Sequence, residues 1–171
     1  MLERQLPLVW WLDAATAYAL RRAIALIVAG GPDVQAIILF GSVARREERP
    51  LTDQAPSDVD VLVIFDPPAS TQQQTLHYGR EESAESLTPR QQALLSQAVI
   101  RALQAFPDTA RDLSVTGALP PFAHWGRTFL EHVAQDGLLL WARTSPPDLP
   151  SPLEAVGQRM LSKQPPHVVA S

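Results

Sequence analysis

Residues 35–65 read QAIILFGSVARREERPLTDQAPSDVDVLVIF. Two short apolar runs frame this stretch: 35–40 is continuous, and 58–65, which opens Asp-Val-Asp, is rich in Val and Ile. That is the pattern of a strand covered on both faces. The first run ends in Gly41-Ser42 and the second in Asp66-Pro67-Pro68, where proline stops a ladder. Between them, residues 43–48 have the length of one or two helical turns, and residues 49–57 (RPLTDQAPS) are a turn-rich loop. Strand side chains alternate faces, so Asp58 and Asp60 point the same way at the entrance of the second strand.

The flanking sequence alternates between helical and strand periods. Residues 12–29 read as a helix, with Asp13 as N-cap and Gly30-Gly31-Pro32 as the stop. Thr88-Pro89-Arg90-Gln91 opens a second helix, with threonine as cap, proline at the first position and glutamine at the third. It runs to about residue 106, with Leu94, Leu95, Ala98, Val99, Ala102 and Leu103 on one face. Residues 112–116 and 138–142 read as two further strands, and 122–135 as a helix ended by Asp136-Gly137. The polar residues 69–87 read as a long loop or a weak helix. The fold class is α/β (α+β): a small mixed β-sheet of about four strands with helices packed on it. After Arg143 the texture changes, and residues 144–171 hold six prolines around a short helix at 153–163. The expected division is a domain over 1–143 and a proline-rich C-terminal tail over 144–171, which packs across the core or waits for a partner.

Composition narrows the chemistry. The 171 residues fit one domain. The chain has no cysteine, which excludes disulfides, thiolate metal sites and a cysteine nucleophile. Its only lysine is Lys163, against thirteen arginines, so a P-loop or Schiff-base lysine has one place to come from. A net charge of −4 argues against a broad nucleic-acid surface. No apolar run approaches the roughly 20 residues that a membrane span needs. Glu3, Pro7 and Asp13 interrupt the signal-peptide pattern that Arg4 and residues 6–12 begin, so the expected location is cytoplasmic.

Carboxylates, a Gly-Ser turn and arginine are left as tools. Two carboxylates on one face are costly unless something positive sits between them. An all-oxygen donor set suits Mg²⁺ or Mn²⁺. The backbone N–H groups of Gly41 and Ser42 and the Ser42 hydroxyl are placed to donate to a phosphate. Singly, a Gly-Ser pair is usually a plain turn and Asp-x-Asp a solvated strand end. Specificity comes from the order: strand, Gly-Ser, short helix, loop, Asp-hydrophobic-Asp, strand. Elsewhere, His77-Tyr78-Gly79-Arg80 reads as loop, His124, Trp125 and His132 as packing or surface residues, and Trp10, Trp11 and Trp141 as core or interface anchors.

ILFGSVAR followed by SDVDVLVIFD resembles the nucleotidyltransferases of the DNA polymerase beta-like superfamily, most closely the small bacterial minimal nucleotidyltransferases (MNT). Gly41 and Ser42 match that group's Gly-Ser, Asp58 and Asp60 its paired carboxylates, and Arg45 an arginine that often follows the Gly-Ser. A third carboxylate is expected on a later strand, and Asp112 in ARDLSVTG fits best. FLEHVAQDGLLLWAR resembles the closing helix, turn and strand of these domains, so the likeness spans roughly residues 12–142. The spacer of fifteen residues, 43–57, is longer than the group's, and no glycine follows Arg45 where one is often found. An enlarged loop or a drifted, poorly catalytic site are the two readings of that departure.

The resemblance implies a Mg²⁺-dependent transfer of AMP from ATP to a hydroxyl. Asp58, Asp60 and Asp112 would hold two Mg²⁺ ions, with Mn²⁺ as the alternative metal, and Asp112 would double as base. Gly41, Ser42 and Arg45 would bind the triphosphate. Larger relatives that modify antibiotics carry an extra helical domain, for which the segment after Arg143 is too short. The implied partner is therefore a small helical protein, a HEPN-type toxin whose antitoxin this chain would be, or a second copy in a homo-oligomer. Two other functions fit the same residues: an antitoxin acting by occlusion alone, and a homodimeric nucleotidyltransferase for small antibiotic-type molecules.

Overall fold

A computed structural model of the chain describes residues 11–67, 87–106, 110–120, 122 and 125–157. The elements are α1 (Ala14–Gly30), β1 (Val34–Phe40), α2 (Gly41–Arg45), β2 (Val59–Phe65), α3 (Pro89–Leu103), β3 (Leu113–Ala118), α4 (Arg127–Asp136) and β4 (Leu138–Ala142). The strands form one mixed sheet in the order β3-β2-β1-β4. β1 pairs antiparallel with both β2 and β4, while β2 and β3 run parallel. The fold class expected from the sequence holds.

The two central strands are covered on both faces, as their unbroken apolar composition predicts. Ile37 and Leu39 of β1 and Val61 and Val63 of β2 face a cluster with Leu20, Ile24 and Ile27 of α1 and Leu95, Ala98 and Ala102 of α3. Ala36, Ile38, Leu62 and Ile64 face the other way, against Leu130 and Val133 of α4. Leu149, Leu153 and Val156 complete this second cluster, so part of the proline-rich segment lies on the sheet. Arg143 anchors the start of that segment through paired bonds to the Asp66 carboxylate at 2.6 and 2.7 Å. Gln35 Nε2 donates to the Asp148 carbonyl at 3.1 Å.

Local signals set the helix ends. Asp13 caps α1 by accepting from the Thr16 N–H at 3.0 Å. Thr88 and Gln91 form the reciprocal capping box at the start of α3, with bonds of 3.1 and 2.9 Å. Several boundaries differ from the sequence-based expectation, among them the start of α1 at Ala14 rather than residue 12, the end of α2 at Arg45 rather than residue 48, and β3 over Leu113–Ala118 rather than 112–116. α3 ends at Leu103 rather than near residue 106. α2 begins at Gly41 rather than residue 43, because Gly41, at a φ of 77°, turns the extended chain directly into the helix. α4 starts at Arg127 rather than residue 122. Phe122 has a left-handed φ of 68°, and the carbonyls of Leu119 and Phe122 accept turn bonds, so the chain is still turning there. The histidine-bearing loop at residues 77–80, His124, Trp10 and everything from residue 158 on lie outside the described residues.

Leu153 is fully buried, whereas Leu51 is 41% exposed in the spacer loop. Leu153→Ala is expected to lower stability by about 2–5 kcal/mol, the range for emptying a packed leucine site. Leu51→Ala is expected to stay within about 0.5 kcal/mol of the parent. Urea denaturation of the two variants checks whether the segment after Arg143 belongs to the folded unit.

Candidate functional site

The site lies at the end of the sheet where β1 leaves and β2 enters. Phe40, the last residue of β1, is the cross-strand partner of Asp60. Asp60 therefore stands beside the Gly41-Ser42 turn. A β-carbon built on Gly41 would lie 2.5 Å from Asp60 Oδ2. Glycine is needed here twice over: for its left-handed φ, and because the carboxylate occupies the space of a side chain. The turn and the carboxylate are thus in contact through backbone alone.

Asp58 stands just before β2 and is exposed, while Asp60 is half-buried. Asp60's carboxyl is pushed above the ordinary carboxylate value, first by burial and then by the negative charge of Asp58. Arg45 acts in the opposite direction. Arg45 itself is exposed, with Nε donating to Glu47 at 2.9 Å. That hydrogen bond raises the guanidinium pKa, burial opposes it, and the charges of Glu47, Asp136 and Asp60 add to the rise. Arg45 therefore bridges the field of Asp60 and that of Asp136 on α4.

The short helix between turn and loop is held from outside. Trp11 Nε1 donates to the Val43 carbonyl at 2.9 Å, and the Arg46 guanidinium lies 4.6 Å from the Trp11 ring centroid. The Ser42 carbonyl accepts from the Glu47 N–H at 2.9 Å. On the carboxylate face, Phe40 meets Phe129 edge-on at 5.4 Å, and Trp125 stacks on Phe129 at 5.0 Å.

The structure brings Gly41, Ser42, Arg45, Asp58 and Asp60 to one rim. Asp112 stands at the entrance of β3, exposed and level with Asp58 in the parallel register. Its backbone carbonyl accepts from the Val59 N–H at 2.9 Å. The three carboxylates do not converge: among the described residues, no group of three or more His, Cys, Asp or Glu side chains is arranged to hold a metal ion. The Asp58–Asp60 pair nevertheless fits a hard divalent cation. Its donors are carboxylate oxygens, they share a face, and their mutual repulsion is what a bound cation would relieve. Asp136 and Arg111 are two site-side residues that motif spacing does not reveal. One sits on a different helix, and the other precedes Asp112 without any periodic signal.

The family model of the nucleotidyltransferase domain matches residues 22–107, half of the chain, and includes both the Gly-Ser turn and the Asp58–Asp60 pair. The chain belongs to the nucleotidyltransferase domain family. Solved structures of similar arrangement are distant. A chain of a toxin–antitoxin crystal structure with AMP-PNP is 18% identical with a TM-score of 0.43, covering 82% of each chain. A chain from tri-AMPylated Shewanella oneidensis HEPN toxin in complex with MNT antitoxin is 18% identical, with a TM-score of 0.41, covering 84% of this chain and 82% of its own. A putative nucleotidyltransferase from Sulfolobus solfataricus is 16% identical with a TM-score of 0.40, covering 77% of this chain and 90% of its own. No curated protein matches the chain. Among the described residues of this nucleotidyltransferase domain, no helix is long and apolar enough to cross a membrane.

Two outcomes follow from the rim's geometry. Gly41→Ala must place a β-carbon on Asp60 and hold a left-handed φ, which alone costs roughly 1–2 kcal/mol. Urea denaturation is expected to show at least that loss. For Asp60, the folded state holds the proton more tightly than the unfolded chain. Its contribution to stability is therefore most favourable below the ordinary carboxylate pKa and is lost as pH rises through the raised folded value. Without added metal, Asp60→Asn is expected to melt higher than the parent at pH 7, with the gap closing in acid. Thermal melts at both pH values read it, and a lower melting point at pH 7 contradicts it.

Proposed function

We propose that this nucleotidyltransferase domain transfers AMP from ATP to a hydroxyl on a partner protein, a small helical toxin of the HEPN type, as its antitoxin. The observation that carries the reading is the close approach of Asp60 to Gly41, which sets the Gly-Ser turn beside a carboxylate rim. Family membership supports the reaction class. The acceptor class rests on the sequence resemblance to minimal nucleotidyltransferases.

Gly41 and Ser42 would receive the triphosphate through backbone N–H groups and the serine hydroxyl. Arg45 would balance charge on the departing pyrophosphate. Asp58 and Asp60 would hold Mg²⁺, with Asp112 joining them once nucleotide is bound. Mg²⁺ would screen the phosphate oxygens and acidify the acceptor hydroxyl. The acceptor oxygen forms a bond to the α-phosphorus as the bond to the β-phosphate oxygen breaks, and pyrophosphate leaves. Asp112, on the open side of the rim, would take the hydroxyl proton.

A second reading, binding and occlusion without transfer, is favoured by the lack, among the described residues, of a three-carboxylate group arranged to hold a metal ion. One experiment distinguishes the two. The full chain is incubated with α-labelled ATP, Mg²⁺ and a purified HEPN-type protein that binds it. Label on the partner that disappears with Asp60→Ala is the expected result. Asp112→Asn should retain nucleotide binding while turnover falls by about 10²–10⁴-fold, the usual worth of a general base. A tight complex that stays unlabelled supports occlusion instead.

A further inference from the structure

The spacer between the turn and the carboxylates holds fifteen residues, yet its second part, from Arg49 to Ser57, closes on itself. Arg49 N–H donates to Ser57 Oγ at 2.8 Å, and Ser57 N–H donates to the Arg49 carbonyl at 3.4 Å. Residues 50–56 are thereby looped out from a closed neck. The neck is locked by one side chain. Arg111, only 7% exposed, donates from Nη1 to the Arg49 carbonyl at 2.7 Å and to the Ser57 carbonyl at 3.0 Å. Its backbone N–H donates to Thr16 Oγ1 at 2.9 Å, and its Nε lies 3.8 Å from Asp13 Oδ1 at the cap of α1. That Nε has no hydrogen-bond partner among the described residues. A buried guanidinium whose remaining donor goes unused is costly, and two carbonyls of one loop neck are what it secures.

We propose that Arg111 is a positioning residue for nucleotidyl transfer, closing the spacer loop so that Asp58 and Asp60 enter the sheet facing the Gly41-Ser42 turn. The residue after Ser57 is Asp58, and the residue after Arg111 is Asp112, whose carbonyl takes the Val59 N–H. One guanidinium therefore sets the entry point of β2 and its register against β3. Register matters because a slip of one residue turns every side chain to the opposite face. A slip here would send Asp58 and Asp60 into the cluster that holds Val59 and Val61. The long spacer then behaves as a short one with a lobe attached.

The inference rests on the reading of Asp58 and Asp60 as metal ligands, and the test keeps the two apart. The probe is Mn²⁺ with a non-hydrolysable ATP analogue, read by electron paramagnetic resonance on the full chain. The variants are Arg111→Met, replacement of residues 50–56 by Asn-Gly, and both together. Arg111→Met should bind Mn²⁺ about 10–100-fold more weakly, the usual cost of removing support from behind a ligand. The Asn-Gly link closes the neck covalently, so the double variant should bind within about threefold of the parent. A role in stability alone would not produce that rescue. Folded Arg111→Met that binds as the parent does overturns the proposal, and so does a double variant that stays weak. If Arg111→Met does not fold, the double variant is compared with the Asn-Gly variant alone: equal affinity supports the proposal and a tenfold gap overturns it. A parent chain that binds no Mn²⁺ overturns the metal reading itself.

Discussion

β1 and β2 run through the middle of the sheet with both faces covered, and that double burial constrains everything else. A strand closed on both sides has no place for charge along its length, because an unpaired buried carboxylate is too costly. Charge is admitted only where the strand meets the rim. Asp58 and Asp60 stand at that point, on the face that holds Leu62 and Ile64 further along. Gly41 leaves β1 at the same end, because in an antiparallel pair one strand ends where its neighbour begins. The turn and the carboxylates meet as a consequence of strand pairing.

Much of this was legible in the sequence because it was local. The apolar runs at 36–40 and 61–65 announce covered strands, and Thr88 with Gln91 announces the start of α3. The alternation of faces places Asp58 and Asp60 together without any tertiary information. What was not legible depends on distance. Arg111 reaches carbonyls 62 and 54 positions away in the chain, and no periodicity encodes such a contact. The start of α4 was missed because Phe122 looks like a helical apolar residue, while its left-handed backbone is set by the turn around it. Asp112 was expected on a strand over 112–116, whereas β3 begins at Leu113 and leaves Asp112 just before it, as Asp58 stands just before β2.

The proline-rich segment takes on a structural meaning in this frame. Leu149, Leu153 and Val156 cover the same sheet face as α4, at the end away from the carboxylates, where Arg143 grips Asp66. Among the described residues, the rim is bordered by Arg45, the aromatic step of Phe40 and Phe129, and the lobe of residues 50–56.

The repulsion between Asp58 and Asp60 also has a meaning for the lifetime of the protein. A domain that carries like charge at its rim, only partly offset by Arg45, is at its weakest when empty. Any ligand that binds only the folded form adds RT ln(1 + [L]/Kd) to its stability, about 2.7 kcal/mol at a hundredfold excess over Kd. Were a ligand to neutralise Asp58 and Asp60 as proposed, the fraction of time the chain spends unfolded, and with it exposure to proteases, would follow the supply of that ligand.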